Sequence, residues 1–281
     1  MQLRDLAIGA VFAGVIAVFA LRAHALTRSG AIAAFVVGTL TYGGGTLGFT
    51  FVLLAFFVPS VALSRLGRAR KRDLIDVGKH GARDALQVLA NGAVATACAV
   101  VFAFTHDARW AFAFAGAYAA STADTWATEI GTLAKRQPRS ILTLRPVATG
   151  LSGGITVPGT LAEIGGALWI GVAGLAGVGL AYFFDSRDFG FSWSLHVPSV
   201  VLAPVLWAIP LGGIAGATLD SVLGATVQEL RRCDACDRAC EVDPHGCGTP
   251  TRLVRGVRGV SNDWVNFLAT AAGAAVAFAL G

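Results

Sequence analysis

The chain has 281 residues, of which 55% are hydrophobic and 14% charged, with 35 glycines and a formal net charge of +5. Soluble domains carry about 25% charge, and glycine is commoner in membrane helices, so this composition and a mean hydropathy of +0.66 exclude a soluble globular domain. They describe a polytopic integral membrane protein, whose topology explains a pI of about 9.2 without a nucleic-acid partner.

The first apolar run lies near residues 5–21 and has no A-x-A-like cleavage site soon after a basic region, so it reads as a retained helix rather than a signal peptide. Further apolar segments fall near 30–42, 47–64, 85–105, 109–131, 154–184, 195–228 and 264–281. A span needs about 20 residues, which most of these supply, though 30–42 is short. The glycine-rich "YGGGTLG" (42–48) either joins two short spans or turns a re-entrant hairpin, and both return the chain to the same side. The expected fold is all-α, a single transmembrane domain over 1–281. It is a bundle of seven to eight spans, or six plus a hairpin, containing a Cys/His-rich loop at 231–258.

Threading these spans alternately separates the basic residues. One face receives Arg4, Arg109 and Arg187, and the other the remaining 22 − 3 = 19, clustered in 22–28, 65–83, 135–145, 231–238 and 252–258. The positive-inside rule makes the second face cytoplasmic, which leaves both termini outside the cell membrane. The outer connections "THDAR" and "FFDSRDFGFSWSLH" are short, and the unusual polar stretches all fall on the inner, active face.

The first of those stretches is "AYAASTADTWATEIGTLAKR" (117–136). Ser121, Asp124, Thr125, Thr128, Glu129 and Thr132 recur at helical spacing on one face. A mid-helix aspartate costs ~2.5–3.5 kcal/mol to insert, so intramembrane carboxylates point to function, although Glu129 alone also fits a solvated helix end. "ATLDSVLGATVQE" places Asp220 and Ser221 inside a helix, with Gly224, Ala225 and Gln228 following on that side. "SNDWVNFLAT" opens the last helix with Asn262, Asp263 and Asn266. Ser261 or Asn262 serves equally well as a simple cap there, but Asn266 is too far along the helix. Asp124, Glu129, Asp220 and Asp263 could thus converge at one cytoplasmic-end site, and oxygen ligands of this kind suit Mg²⁺. Between them, Lys135, Arg136, Arg139 and Arg145 supply cations. "ATGLSGG", with Thr149, Gly150, Ser152, Gly153 and Gly154, supplies a turn whose backbone N–H groups can approach a phosphate.

The loop "CDACDRACEVDPHGCG" places Cys233, Cys236, Cys240, His245 and Cys247 at spacings suited to structural Zn²⁺. Cys233, Cys236, His245 and Cys247 are the favoured ligands and Cys240 is spare or alternative. Cytosolic thiols stay reduced, which argues against a disulfide. Cys98 reads as core. His24, His80, His106 and His196 are isolated and read as interfacial or structural. Trp126 and Trp264 adjoin the polar sites and read as helix packing.

The segment 120–171, "LDSVLGATVQ", the Cys/His element and "TRLVRGVRGVSNDWVNF" together resemble, in order and over most of the chain, one family of integral membrane proteins. Its best-understood member type is the plant phytyl-phosphate kinase. More loosely, Asp124, Glu129–Ile130–Gly131, the basic stretch and "ATGLSGG" are similar to CTP-using membrane enzymes such as dolichol kinase, phytol kinase and phosphatidate cytidylyltransferase. Their Lys-Thr-x-x-Gly-Ser-like turn has a lysine that is missing two residues before Gly150, where Arg145 stands in.

The resemblance implies a membrane kinase that moves phosphoryl from a nucleoside triphosphate, CTP by the looser likeness, to an isoprenoid monophosphate of phytyl or geranylgeranyl type. In that reading Asp124, Glu129 and Asp220 hold Mg²⁺. Arg145 and the 150–154 turn cradle phosphate with Thr125, Thr149, Ser221, Lys135 and Arg136. Asp263, Asn262 and Asn266 position metal or acceptor. The partners are nucleotide, prenyl phosphate and membrane; a homodimer is admitted but not required. A cytidylyltransferase forming a CDP-lipid uses the same parts. A lipid or ion transporter is the rival from another class, supported by a weak internal likeness between "ADTWATEIGT" and "LDSVLGATVQ".

Overall fold

The computed structural model describes residues 1–66, 81–185 and 199–281. His80, His196, Arg187 and most of the 65–83 basic cluster lie outside the described residues. Among the described residues there are seven helices: α1 (Leu3–Arg22), α2 (Arg28–Arg65), α3 (Ala85–Thr105), α4 (Ala108–Gly131), α5 (Val157–Asp185), α6 (Ser199–Thr226) and α7 (Asn262–Leu280). Short side chains start several of them by accepting from orphan backbone donors. Thr27 accepts from Gly30 N at 3.1 Å, Asp107 from Arg109 N at 3.0 Å, and Asp84 forms a capping box with Gln87.

The glycine run 43–45 breaks α2. Gly45 and Thr46 leave the helical region, and Thr46 takes a left-handed φ of 51°. Beyond the break the chain turns back, because the Arg65 guanidinium donates to Ala23 O at 2.7 Å. A straight 38-residue helix would be about 57 Å long and could not make that bond. The arms 28–44 and 47–65 are therefore an antiparallel hairpin, each about 26–28 Å long and nearly the ~30 Å thickness of a hydrocarbon core.

Two ends result. Met1 meets Gly43, Phe49 packs against Phe102, and Phe112 lies against Gly281, so both termini share one end with residues 43–49 and 102–112. The opposite end gathers 22–28, Arg65, 83–85, the 132–156 connection and the 227–261 connection. Arg4 and Arg109 therefore lie at the terminal end and the other described Lys and Arg residues at the far end, as the threading required.

Helix α4 runs through the middle. Every residue from Phe112 to Ala123 is buried, and most are alanine or glycine. Small residues let neighbouring backbones close in. A Cβ on Gly116 would lie 2.6 Å from Gly273 O of α7, and one on Gly216 of α6 would lie 2.5 Å from Ala120 Cβ and 2.6 Å from Ala269 O. Six of the described helices are long and apolar enough to cross a membrane, and α4 is not among them.

The far end carries the strands. Residues 154–155, expected to begin a helix, instead pair with 139–140 as a two-stranded ribbon (β1, β2), so α5 begins only at Val157. Strands β3 (Leu230–Cys233), β4 (Arg238–Cys240) and β5 (Arg252–Arg255) form a sheet in the order β4-β3-β5.

Candidate functional site

At the far end of α4 and α6 the side chains of Asp124 and Asp220 meet within hydrogen-bonding range. Glu163 of α5 is the strongest further charge on Asp124, ahead of Glu129, and Glu163 itself accepts from Thr218 Oγ1 at 3.3 Å. Asp220 Oδ2 is buried without a hydrogen-bond partner. Two ionised carboxylates this close repel, and a buried oxygen with no donor is costly; a cation bridging the pair relieves both.

The glycine turn packs onto α6 beyond this pair. Gly150 and Gly153 take φ of +87° and +82°, which L side chains rarely adopt. A Cβ on Gly153 would stand 2.5 Å from Ala225 Cβ, so the turn lies on α6 one turn past Asp220. Ser152 Oγ donates to Glu241 Oε1 at 2.5 Å and accepts from Gln228 Nε2 at 3.0 Å. Glu241 follows β4 and acts electrostatically on Asp220; burial pushes its own carboxyl up to about 7. Arg255 of β5 donates to Gly224 O at 2.8 Å, which ties the sheet to the same stretch of α6.

Carboxylates thus arrive from α4, α5, α6 and the sheet. Sequence reasoning named Asp124, Asp220, Ser152 and the glycines but missed Glu163 and Glu241. Glu163 was detectable as the carboxylate in an otherwise apolar span. Glu241 was hidden inside a motif read for its thiols. Thr125 and Ser221 are partly buried beside their aspartates. Lys135, Arg136 and Arg145 are exposed, and the Arg145 carbonyl accepts from Ser140 N. Asn262 begins α7, Ser261 makes no side-chain cap bond, and Asn266 lies one turn before Thr270. The charges acting on Asp124 and Asp220 include each other, Glu163, Glu129 and Glu241.

The donor atoms of Cys233, Cys236, His245 and Cys247 all lie within 4.8 Å of one another. Cys233 Sγ and Cys247 Sγ are 3.6 Å apart, and His245 Nδ1 is 3.1 Å from Cys247 Sγ. A tetrahedral site with Zn–S bonds of about 2.3 Å spaces its sulfurs by about 3.8 Å, so the four residues fit a structural metal. Cys240 is outside the set, its Sγ directed to Val242 O at 3.7 Å. Hydrogen bonds with Thr249 and His245 pull the Cys247 thiol down to about 5, while its partners Cys247 and Cys233 hold Cys236 up to about 11. Beside the cluster, Arg231 locks the sheet by pairing with Glu229 at 3.2 Å and Asp243 at 2.7 Å.

Membrane-length helices wrapped around a polar helix, with the ionisable groups gathered at one end, define a polytopic helical membrane protein. The chain belongs to the integral membrane protein family DUF92, whose model matches residues 11–274. It is similar to protein PGR of Arabidopsis thaliana, 30% identical over 92% of this chain and 90% of that one. Two uncharacterised membrane proteins are also similar, each at 31% identity. One, from Methanocaldococcus jannaschii, covers 75% of this chain and 78% of its own; the other, from Synechocystis, covers 69% of each. No solved structure matches the chain.

Proposed function

We propose that the chain is a membrane phosphotransferase that moves the γ-phosphoryl group of a nucleoside triphosphate, CTP by the looser likeness to CTP-using membrane enzymes, onto an isoprenoid monophosphate. The observation that carries this reading is the half-buried Asp124–Asp220 pair with a buried, unpartnered Asp220 oxygen, beside a glycine turn at the basic end. Carboxylate oxygens at one or two positions, completed by substrate phosphates, are the usual setting for Mg²⁺. Asp124 and Asp220 would hold the ion, with Glu163 and Glu129 nearby. Bound there, it would supply charge neutralisation to the phosphates during transfer.

The chain's residues position the reactants. Backbone N–H groups of the 150–154 turn cradle phosphate, and Lys135, Arg136 and Arg145 hold the charge of the departing nucleotide. An acceptor phosphate oxygen forms the new bond to the γ-phosphorus while the bond to the β–γ bridging oxygen breaks, releasing nucleoside diphosphate. The acceptor is already anionic, so no side chain need remove a proton, and catalysis is positioning and charge neutralisation. The basic end faces the cytoplasm, where nucleotides are, and both termini lie outside.

The test uses purified protein with Mg²⁺, each nucleoside triphosphate, and phytyl, geranylgeranyl or farnesyl monophosphate, with products identified by mass spectrometry. Prenyl diphosphate plus nucleoside diphosphate is expected, with Asp124→Asn at least ~10³-fold slower yet folded. CDP-prenol plus pyrophosphate would instead make it a cytidylyltransferase. No product from the folded protein would sink the phosphotransferase and favour a transporter.

A further inference from the structure

A groove of about 800 Å³, counting its open side, runs between α1, both arms of α2, α3 and α4. Its walls are almost wholly apolar: Phe12, Ala13, Ala17, Leu53, Phe57 and Val88 are typical. Phe12 on its rim is 49% exposed, so the groove opens sideways to the surrounding lipid. Polar groups line it only along one edge of α3 and at Thr50, Tyr42 and Tyr118. That edge is Arg83, Gln87 and Asn91, and the Arg83 guanidinium lies 5.9 Å from the centre of the Phe56 ring. The lining on α3 runs from Gln87 to Gly92, about 8 Å of helix, with Arg83 just ahead of the helix start.

The polar edge faces the carboxylate helix. Ser121 of α4 donates to Asn91 O at 3.1 Å, and Arg83 and Glu129 act on each other electrostatically. Tyr118 lines the groove, and Asp124 stands six residues further along the same helix, about 9 Å towards the basic end. The groove therefore starts among apolar side chains within the bilayer and ends at a cation next to the site.

We propose that this groove holds the hydrocarbon tail of the acceptor lipid, with Arg83 at its mouth receiving the acceptor's phosphate. The inference rests on the phosphotransferase reading and adds to it where the lipid sits. Bilayer lipid is as apolar as the groove, so leaving it for the groove brings little hydrophobic gain. Selection therefore comes from shape and from the phosphate held by Arg83, a charge-assisted contact of the kind guanidinium groups make. Phosphatidylcholine carries its own cation on the headgroup and two tails, and suits this site less well than a single-tailed phosphate monoester.

The whole protein in phosphatidylcholine nanodiscs is labelled with a prenyl monophosphate carrying a diazirine in its tail, without nucleotide, and the crosslinked peptides are mapped. Labelling is expected in 9–17, 50–57 and 88–92, competed by farnesyl monophosphate and retained in Asp124→Asn. Arg83→Gln should weaken it about 10-fold and Arg83→Lys should restore part of it. The backbone bonds of Arg83 to Ala25 and Thr27 are kept in both variants. Val88→Phe, which fills the groove, should raise KM for farnesyl monophosphate about 10-fold and leave that for isopentenyl monophosphate unchanged. Label confined to lipid-facing positions such as Val172, or label in the groove that added phosphatidylcholine displaces as well as farnesyl monophosphate does, overturns the proposal. Groove labelling with no turnover under any nucleotide would leave this site standing and remove the phosphotransferase reading instead.

Discussion

Glu241 is the residue whose environment departs furthest from what its neighbours in sequence suggest. It sits after β4, receives hydrogen bonds from Ser152 and Gln228, and lies close enough to Asp220 to act on it. Burial raises its carboxyl to about 7 against an ordinary value of 4.5. A raised acid binds a proton more tightly in the folded state than in the unfolded chain. Its contribution to stability is therefore full below pH 4.5 and lost as pH climbs towards 7. In metal-free protein, thermal stability should fall across that window, by on the order of 3 kcal/mol from this group. Glu241→Gln should flatten the fall, as followed by melting temperature at stepped pH. An unchanged profile in Glu241→Gln would mean that this carboxyl is not the group being titrated.

Among the helices, the decisive contacts are backbone to backbone. Gly116, Gly212, Gly216 and Gly273 occur where α4, α6 and α7 cross, and a Cβ on Gly273 would come within 2.7 Å of Gly116 O and 3.0 Å of Gly212 O. Gly273→Val should cost about 1–3 kcal/mol or prevent folding, read as loss of monodisperse protein on size exclusion. Gly165→Ala, where nothing lies within 4 Å, is the control and should be silent. The helices themselves were legible from hydropathy, because each lipid-facing rod has to be apolar along its length. The reversal at 42–48 was legible from its glycines, and the Arg65–Ala23 bond shows it; two short spans and a re-entrant hairpin share that reversal, so the glycines alone do not choose between them. Asp124 and Asp220 were legible because a carboxylate in an apolar run has few bland explanations. Their meeting was not, because the spacing within each helix says nothing about which faces two helices turn towards each other. The likeness of "ADTWATEIGT" and "LDSVLGATVQ" acquires a physical content here, for these are the segments whose aspartates touch. Residues 154–155 failed as a helix start because β-pairing with 139–140 is a long-range contact that local pattern does not carry.

On the scale of the molecule, the Cys/His cluster and the carboxylate site are two parts of one end. The cluster fixes the β3–β4–β5 sheet, and that sheet delivers Glu241 and Arg255 to α6. Removing a bound metal should therefore reach the site. Purified protein is expected to carry about one zinc per chain. Stripping it with a chelator should expose Cys233, now buried, to thiol reagents and lower turnover about 10-fold or more, with recovery on adding zinc back. Protein lacking zinc from the outset, with Cys233 still protected and full turnover, would show that the sheet holds itself.

The central position of α4 bears on how the chain enters a membrane at all. Insertion machinery weighs each segment largely by its own apolarity, and Asp124 alone weighs ~2.5–3.5 kcal/mol against α4 when the residue is near mid-helix. The helix that every neighbour needs is thus the one least able to stay in lipid by itself. Its passage has to be assisted, and α3, joined to it by only His106 and Asp107 and packed antiparallel against it, is the partner at hand. The two are expected to enter as a pair, with α6 arriving later to set Asp220 against Asp124.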